Sequence, residues 1–342
     1  MKPQVIAIAA CATIAGVALA QPASAEPVVL KYGTGSPPTA AMTGRLAMPW
    51  AEQTSKLSGG ALEIQVFAGP SLINLQNSYD RTINGVADMA FMILGPVSSQ
   101  FPKTAVATLP FEVSNAAEAG AALWALFQNG VIADELEKVK PLAIGAFPNV
   151  SVHAKKPVIT LNDLRGMKLS VQSRLMGEAI TALGATPITM PVTELYQALS
   201  RGVIDGTAIG WPATTTYKTH EVVSFHTDVP LGGEVAFEIM NKQSYERLPD
   251  AAKRAIDQTA GAPYTKSMGE IIDIQEQESR AIITAAGQKI LTLAPAEQTL
   301  WQQRIAPITE AWVKSTPNGA AVLATFRQEV AKYRKGVVGA QR

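Results

Sequence analysis

Short apolar runs alternating with longer helix-patterned stretches constrain this chain more than any other feature. Apolar runs at 28–32 and 62–67 flank a helical pattern at 41–57, and Gly59-Gly60 stops that helix and opens the next strand. A helix over 74–84 ends at Gly85 and leads into 87–94, an unbroken apolar strand of the kind covered on both faces. Such alternation specifies an α/β architecture. Helical material follows at 115–138, strands at 142–152 and 167–171, and a helix over 174–183 that Ser173 is placed to cap. A short helix at 193–200, ended by Gly202, precedes a strand at 203–209. A strand at 235–241, a helix at 250–259 and a long helix from Pro263 to about Ala286 come next. Met268, Ile271, Ile272 and Ile282 form its core-facing stripe, and Glu276 and Arg280 stand at the i, i+4 spacing of an exposed pair. A helix of that length spans roughly 30 Å, enough to bridge two lobes.

Two lobes are expected from size as well. The first residues have the pattern of an export signal: Lys2, an apolar run over 5–20, and the small-x-small site Ala23-Ser24-Ala25. The apolar run is broken by Cys11, Thr13 and Gly16 and falls short of the roughly 20 residues of a membrane span. A lipid anchor on Cys11 would leave almost no apolar segment before it. Cleavage after residue 25 takes 25 of the 342 residues and leaves 317, more than one core usually fills. No Gly/Ser or Pro linker divides them, so the lobes must be joined by ordered strands.

Charge and residue counts narrow the function. Loss of Lys2 leaves 28 of the 29 Lys and Arg against 28 Asp and Glu, a neutral surface without the basic clusters that displace counterions from nucleic acid. Cys11 is the only cysteine, so the mature chain has no disulfide, thiolate metal site or cysteine nucleophile. The three histidines, His153, His220 and His226, show no zinc spacing, and no metal or other cofactor is expected. Gly33-Thr34-Gly35 carries Pro38 where a dinucleotide fingerprint has its third glycine, and no P-loop lysine follows. A Gly-x-Ser-x-Gly elbow is absent too. The alternatives left open are a secreted hydrolase of unfamiliar type and a ligand sensor serving a signalling receptor. Gly33 lies at a strand's carboxyl end, where ligands of open α/β sheets bind.

Three segments resemble the DctP-like solute-binding proteins of tripartite ATP-independent periplasmic (TRAP) transporters. They are Asp163-Leu164-Arg165-Gly166-Met167-Lys168-Leu169-Ser170-Val171, Leu183-Gly184-Ala185-Thr186-Pro187, and the run from Glu194-Leu195-Tyr196 through Asp205-Gly206. Leu109-Pro110-Phe111, Met240-Asn241-Lys242 and Leu248-Pro249 extend the likeness over most of the chain. The resemblance implies a two-lobe periplasmic binding protein (Venus-flytrap) fold with hinge strands and a long bridging helix. Residues 26–149 and 238–277 would form the first lobe, and 150–237 and 278–342 the second. It also implies a non-catalytic periplasmic protein that passes a small-molecule carboxylate to TRAP transporter membrane subunits.

Here the chain departs from the family. The arginine that holds the substrate carboxylate on the strand after Gly-Met-Lys is replaced by Ser170, whose hydroxyl hydrogen-bonds but carries no charge. Arg174, beside Ser173 at a helix start, is the expected compensating cation, although a helix amino end favours anions over cations. Trp211 is expected as a flat wall, with Phe111, Phe237 and Phe91 as further aromatic candidates more often found in cores. One cation and an aromatic wall suit an aromatic or hydrophobic monocarboxylate. Glu194 and Asp205 are expected as structural hydrogen-bonding groups.

Overall fold

In the computed structural model the described residues are 26–340, with side chains described to 336. The export signal expected over residues 1–25, with Cys11, lies outside them. The first sheet contains β1 (Val28–Gly33), β2 (Leu62–Phe67), β3 (Met89–Ile93), β4 (Val139–Phe147) and, from far along the chain, β10 (Glu234–Asn241). Its order is β2-β1-β3-β10-β4, parallel except for β10. The second sheet contains β5 (Val150–Ala154), β6 (Lys168–Val171), β7 (Thr186–Thr189), β8 (Gly206–Gly210), β9 (Phe225–Asp228) and β11 (Lys289–Thr292). Its order is β11-β9-β5-β8-β6-β7, with β5 antiparallel to both neighbours.

Local sequence accounts for these elements. On β2, Leu62 and Ile64 point inward while Glu63 and Gln65 face water, the alternation of a half-covered strand. β3 reads Met-Ala-Phe-Met-Ile and is buried on both faces between helical layers. Asn115 caps the helix Ala116–Gln128 by accepting from the Glu118 amide at 2.8 Å. Ser173 caps Arg174–Leu183, and Gly184, at φ 98°, supplies the left-handed residue that ends it.

Three segments cross between the sheets. The strand expected over 142–152 is two strands, β4 and β5, parted at Pro148-Asn149, where Asn149 takes φ 59°. Residues 229–233 carry the chain back from β9 to β10. There Gly232, at φ 122°, lies so close to the Thr108 carbonyl that a Cβ would sit 2.2 Å from its oxygen. The long helix Ala262–Ala285 is the third crossing. Its Tyr264, Met268 and Ile272 join the first lobe's core, while Ser279 and Ile283 are buried further along. Ile282, expected in the stripe, is exposed, and Ile283 takes the buried position. The Glu276–Arg280 pair forms, but partly buried and joined by Asp228 rather than free in solvent.

The chain's last part departs from the expected division. Helix Pro295–Ser315 packs Trp301 and Ile305 into the second lobe's core. Helix Gly319–Ala340 then returns to the first lobe, where Phe326 and Val330 pack with Leu123 and Leu126, and Arg334 pairs with Glu118. Residues 234–237, expected in the second lobe, are the first half of β10 in the first sheet. Phe326→Ala should cost about 3–5 kcal/mol in urea unfolding with an unchanged m-value. A change below about 0.5 kcal/mol would show that this helix adds nothing to the first lobe.

Candidate ligand-binding site

Both sheets turn the carboxyl ends of strands toward the junction of the lobes: β1 and β3 from one side, β6 and β8 from the other. Between them lies a cavity of about 110 Å³. Its walls are Phe91 and Phe147 from the first lobe, and Met176, Ile209 and Pro212 from the second. An apolar cavity of roughly 150 Å³ admits a benzene ring, and this space approaches that size. Directed polar groups come from Ser36, Gln172, Ser173, Thr216, Tyr217 and Gln275, with Glu234 the one carboxyl. Among the lining residues there is no Lys, Arg or His.

The lobes touch beside this cavity. Gly95, just past β3, approaches the second lobe's Gln172 so closely that a Cβ would stand 2.5 Å from the Gln172 carbonyl oxygen. Only glycine allows that approach without displacing backbone. The Gly95 amide donates to Glu234 Oε1 at 2.8 Å, tying the same loop to the first residue of β10. Burial pushes the Glu234 carboxyl up to about 7, against backbone hydrogen bonds that pull it down.

Of the eight residues singled out in the sequence as ligand contacts, Ser173 and Phe91 line the cavity and the other six lie outside it. Arg174 is directed away, its Nη1 donating to Glu178 Oε1 at 2.7 Å with 74 % of its side chain exposed. Ser170 is fully buried and donates to Thr207 Oγ1 at 2.6 Å, linking β6 to β8 where the family places its arginine. Trp211 has no exposed surface. Its Nε1 donates to Ser151 Oγ at 3.1 Å, and the Arg280 guanidinium lies 3.8 Å over its ring. The space beside Gly33 is taken by Ile73, 2.7 Å from where a Cβ would be. Phe237 packs in the core against Phe101. Phe111, at φ 64°, donates its amide to the Pro230 carbonyl at 3.3 Å and faces a groove beside the last two helices. Asp205 does accept a backbone bond, from the Lys168 amide at 2.8 Å.

Among the residues missed are Phe147, Met176, Pro212, Tyr217 and Glu234. Phe147 stands before Pro148 at a strand end, and Pro212 follows the strand end at Gly210, so strand-end position was their usable signal. Glu234 follows Gly232-Gly233, where no period shows a direction.

Behind the cavity wall the histidines hold one another. His153 and His226 face through their Nδ1 atoms at 2.8 Å, and His226 Nε2 meets Gln288 Oε1 at 2.9 Å. Burial holds both below their ordinary value, so both are neutral rings at neutral pH. Deeper in the first lobe, Glu238 is fully buried. Tyr32 donates its hydroxyl to Glu238 Oε2 at 2.5 Å, and Tyr264, stacked on Trp50, lies 3.1 Å from that hydroxyl. Glu238 Oε1 has no partner, and burial pushes this carboxyl up to about 8 despite the tyrosine bond.

Two α/β lobes joined by crossing strands, with a cavity at the strand ends, define a binding protein of the hinged periplasmic kind. Residues 33–316 match the family of bacterial extracellular solute-binding proteins, family 7 (DctP), and the chain belongs to it. Members of this family work outside the cytoplasm. Among curated proteins the chain is 27 % identical over 304 residues to the outer membrane transporter protein TsaT of Comamonas testosteroni, covering 86 % of this chain and 89 % of the other. A TRAP solute-binding protein of Rhodoferax ferrireducens, solved with copurified benzoate, superposes with a TM-score of 0.86 at 28 % identity. That match covers 91 % of this chain and 99 % of the other. A marine metagenome TRAP solute-binding protein specific for aromatic acids, solved with metahydroxyphenylacetate, gives 0.86 at 29 % identity, covering 90 % and 99 %.

The Glu238 shift sets a pH dependence of stability. A carboxyl at about 8 when folded and about 4.5 when unfolded keeps a proton between those values only in the folded chain. Its contribution is therefore full below pH 4.5 and is lost as pH rises to 8. Wild-type melting temperature should fall from pH 5 to pH 8, and Glu238→Gln should remove part of that fall. A variant whose melting curve runs parallel to wild type across this range would show that Glu238 does not titrate in it.

Proposed function

We propose that this protein captures a small aromatic or hydrophobic monocarboxylate and presents it, chemically unchanged, to the membrane subunits of a TRAP transporter. The observation that carries this reading is the cavity at the lobe junction, walled by Phe91 and Phe147 on one side and by Met176, Ile209 and Pro212 on the other. Such a cavity favours a flat apolar body by roughly 25 cal/mol for each Å² removed from water. With no cation on its wall, every carboxylate beyond the first would add an uncompensated charge. The benzoate and metahydroxyphenylacetate carried by the two similar structures agree with it.

Capture without chemistry is supported by where the basic groups are. His153 and His226 bond to each other, His220 Nδ1 is taken by the Thr214 carbonyl, and none of the three lines the cavity. A nucleophile there would have no histidine within reach, and the one acid–base carboxyl on the wall, Glu234, has its Oε1 held by the Gly95 amide. Because the ligand would touch both lobes, its binding energy favours the closed form, which is how such a protein signals occupancy to a membrane partner.

Titration calorimetry with benzoate, 3-hydroxybenzoate, succinate and glucuronate tests the reading. One-to-one binding of the aromatic acids is expected, with succinate and glucuronate at least about a hundredfold weaker, as unpaired polar groups in an apolar site demand. The reverse order would overturn it. Ala213→Phe, which fills the cavity from the helix Trp211–Thr216, should weaken benzoate by more than about tenfold while the protein stays folded. Arg174→Ala should change affinity by less than about twofold, since its partner is Glu178; a larger loss would bring the guanidinium into the site in solution.

A further inference from the structure

A carboxylate ligand in a cavity without a lysine, arginine or histidine poses a question that the lining itself answers. We propose that Glu234 receives the ligand's carboxylate as a carboxylic acid, donating its proton as a hydrogen bond, so that each anion is captured together with one proton. The inference rests on the aromatic monocarboxylate reading above and adds the group that anchors the anion. Glu234 is the only carboxyl on the cavity wall. Its Oε1 is fixed by the Gly95 amide at 2.8 Å, and among the described residues no side chain donates to its Oε2. It begins β10, directly after the 229–233 crossing, and its Gly95 partner is the residue that touches Gln172 of the opposite lobe. An acid at this point sits where closure brings the lobes together.

The charge balance follows from what faces Glu234. Across β10, its register partner on β4 is Phe147, which carries no charge. From the loop after β3 come Leu94 and Gly95, which offer backbone amides only. From the helix that Ser173 caps, Arg174 and Glu178 pair with each other on the outer flank. From the long helix, Gln275 lines the cavity, while Glu276 and Arg280 are engaged with each other and with Asp228. Tyr217 is the other titratable side chain on the wall, and burial moves its hydroxyl above its ordinary value of 10.0, so it stays neutral below that pH. An ionised Glu234 would thus meet a second anion with nothing to neutralise either. Two carboxyl groups sharing one site hold one proton between them, in a short charge-assisted O–H···O⁻ bond. The proton comes from solvent when Glu234 is ionised beforehand, and it returns to solvent on release. The carboxyl's own tendency to stay protonated, up to about 7, already points the same way.

Calorimetry of the mature protein with benzoate, at pH 6, 7, 8 and 9 and in two buffers of different ionisation enthalpy, tests this. Expected are tight binding at pH 6, an affinity that falls about tenfold per pH unit above pH 8, and uptake of close to one proton per benzoate at pH 8. Glu234→Gln places a neutral donor at the same point. It should bind within a few-fold of wild type at pH 6 and stay flat to pH 9, with no proton uptake. Glu234→Ala should be flat as well and at least about tenfold weaker at pH 6. Wild-type binding that is independent of pH, or a Gln variant that keeps the wild-type pH dependence, would overturn the inference and leave the aromatic monocarboxylate reading standing. Failure of benzoate and 3-hydroxybenzoate to bind wild type at any of these pH values would remove both.

Discussion

One guanidinium ties the moving parts of this molecule together. Arg280, on the long helix, gives two hydrogen bonds of 2.8 Å to Asp228, bonds Glu276 one turn earlier, and covers the Trp211 ring at 3.8 Å. Asp228 is the last residue of β9, at the start of the crossing to β10. Trp211 directly follows the β8 residues Ile209 and Gly210 that wall the cavity. The bridging helix, one crossing and the cavity wall therefore share a single cation. A planar fork with donors on two edges and a stackable face meets those demands at once, and a lysine ammonium does not. Two carboxylates offset the partial desolvation of the charge, and with 26 % of the guanidinium's side chain exposed, water takes up part of what the loss of either would leave unpaired.

From that junction the cavity inherits its character. The Arg280 guanidinium is spent on the junction of helix and crossing, and the binding space is left to aromatic and aliphatic walls with amides and hydroxyls. Recognition then depends on removing a ring from water and on directed donors at one end of it. Reversing a strongly open population needs about a 10⁴-fold preference for the closed form. Contacts made from both lobes at once, Phe91 and Phe147 against Met176 and Ile209, are the kind that exist only after closure. Gly95 fits the same account, because the close approach of its backbone to Gln172 lets the lobes meet without a side chain between them.

Much of the architecture was legible in the sequence, since strand and helix periods are local. The helices Arg174–Leu183 and Asp250–Thr259 and the strand Leu62–Phe67 fall where the apolar spacing and caps put them. The break at Pro148-Asn149 was hidden, because β4 and β5 are both apolar and only tertiary placement separates them. Ile282 and Ile283 illustrate another limit: adjacent apolar residues on a helix lie about 100° apart, and which one faces inward depends on the neighbour. The site was less legible than the fold. Ser170 leaves the family's arginine position without a charge, and Arg174, the cation expected to replace it, finds its partner in Glu178 on its own helix at the i, i+4 spacing. Trp211, expected as a flat wall, follows directly on a strand end. Its indole turns instead toward Ser151 and the histidine pair, a direction no linear pattern records.

The strand β10 holds a further contrast. Ala236 and Met240 on it face the core that contains the long helix, whereas Val235, Phe237 and Ile239 face the opposite core. Period two puts Glu234 and Glu238 on the first of these faces, two acids on an otherwise apolar surface. Each has one oxygen held, by the Gly95 amide and the Tyr32 hydroxyl respectively, and each lacks a cation. Departures from local rules of this kind concentrate at functional sites. For Glu234 the departure falls on the wall of the binding cavity, so its other oxygen has a use. For Glu238 it falls inside the first lobe, where the carboxyl positions Tyr32 and, through it, Tyr264 at the start of the bridging helix. The same strand thus spends one acid on the ligand's end of the hinge and the other on anchoring the helix that spans it.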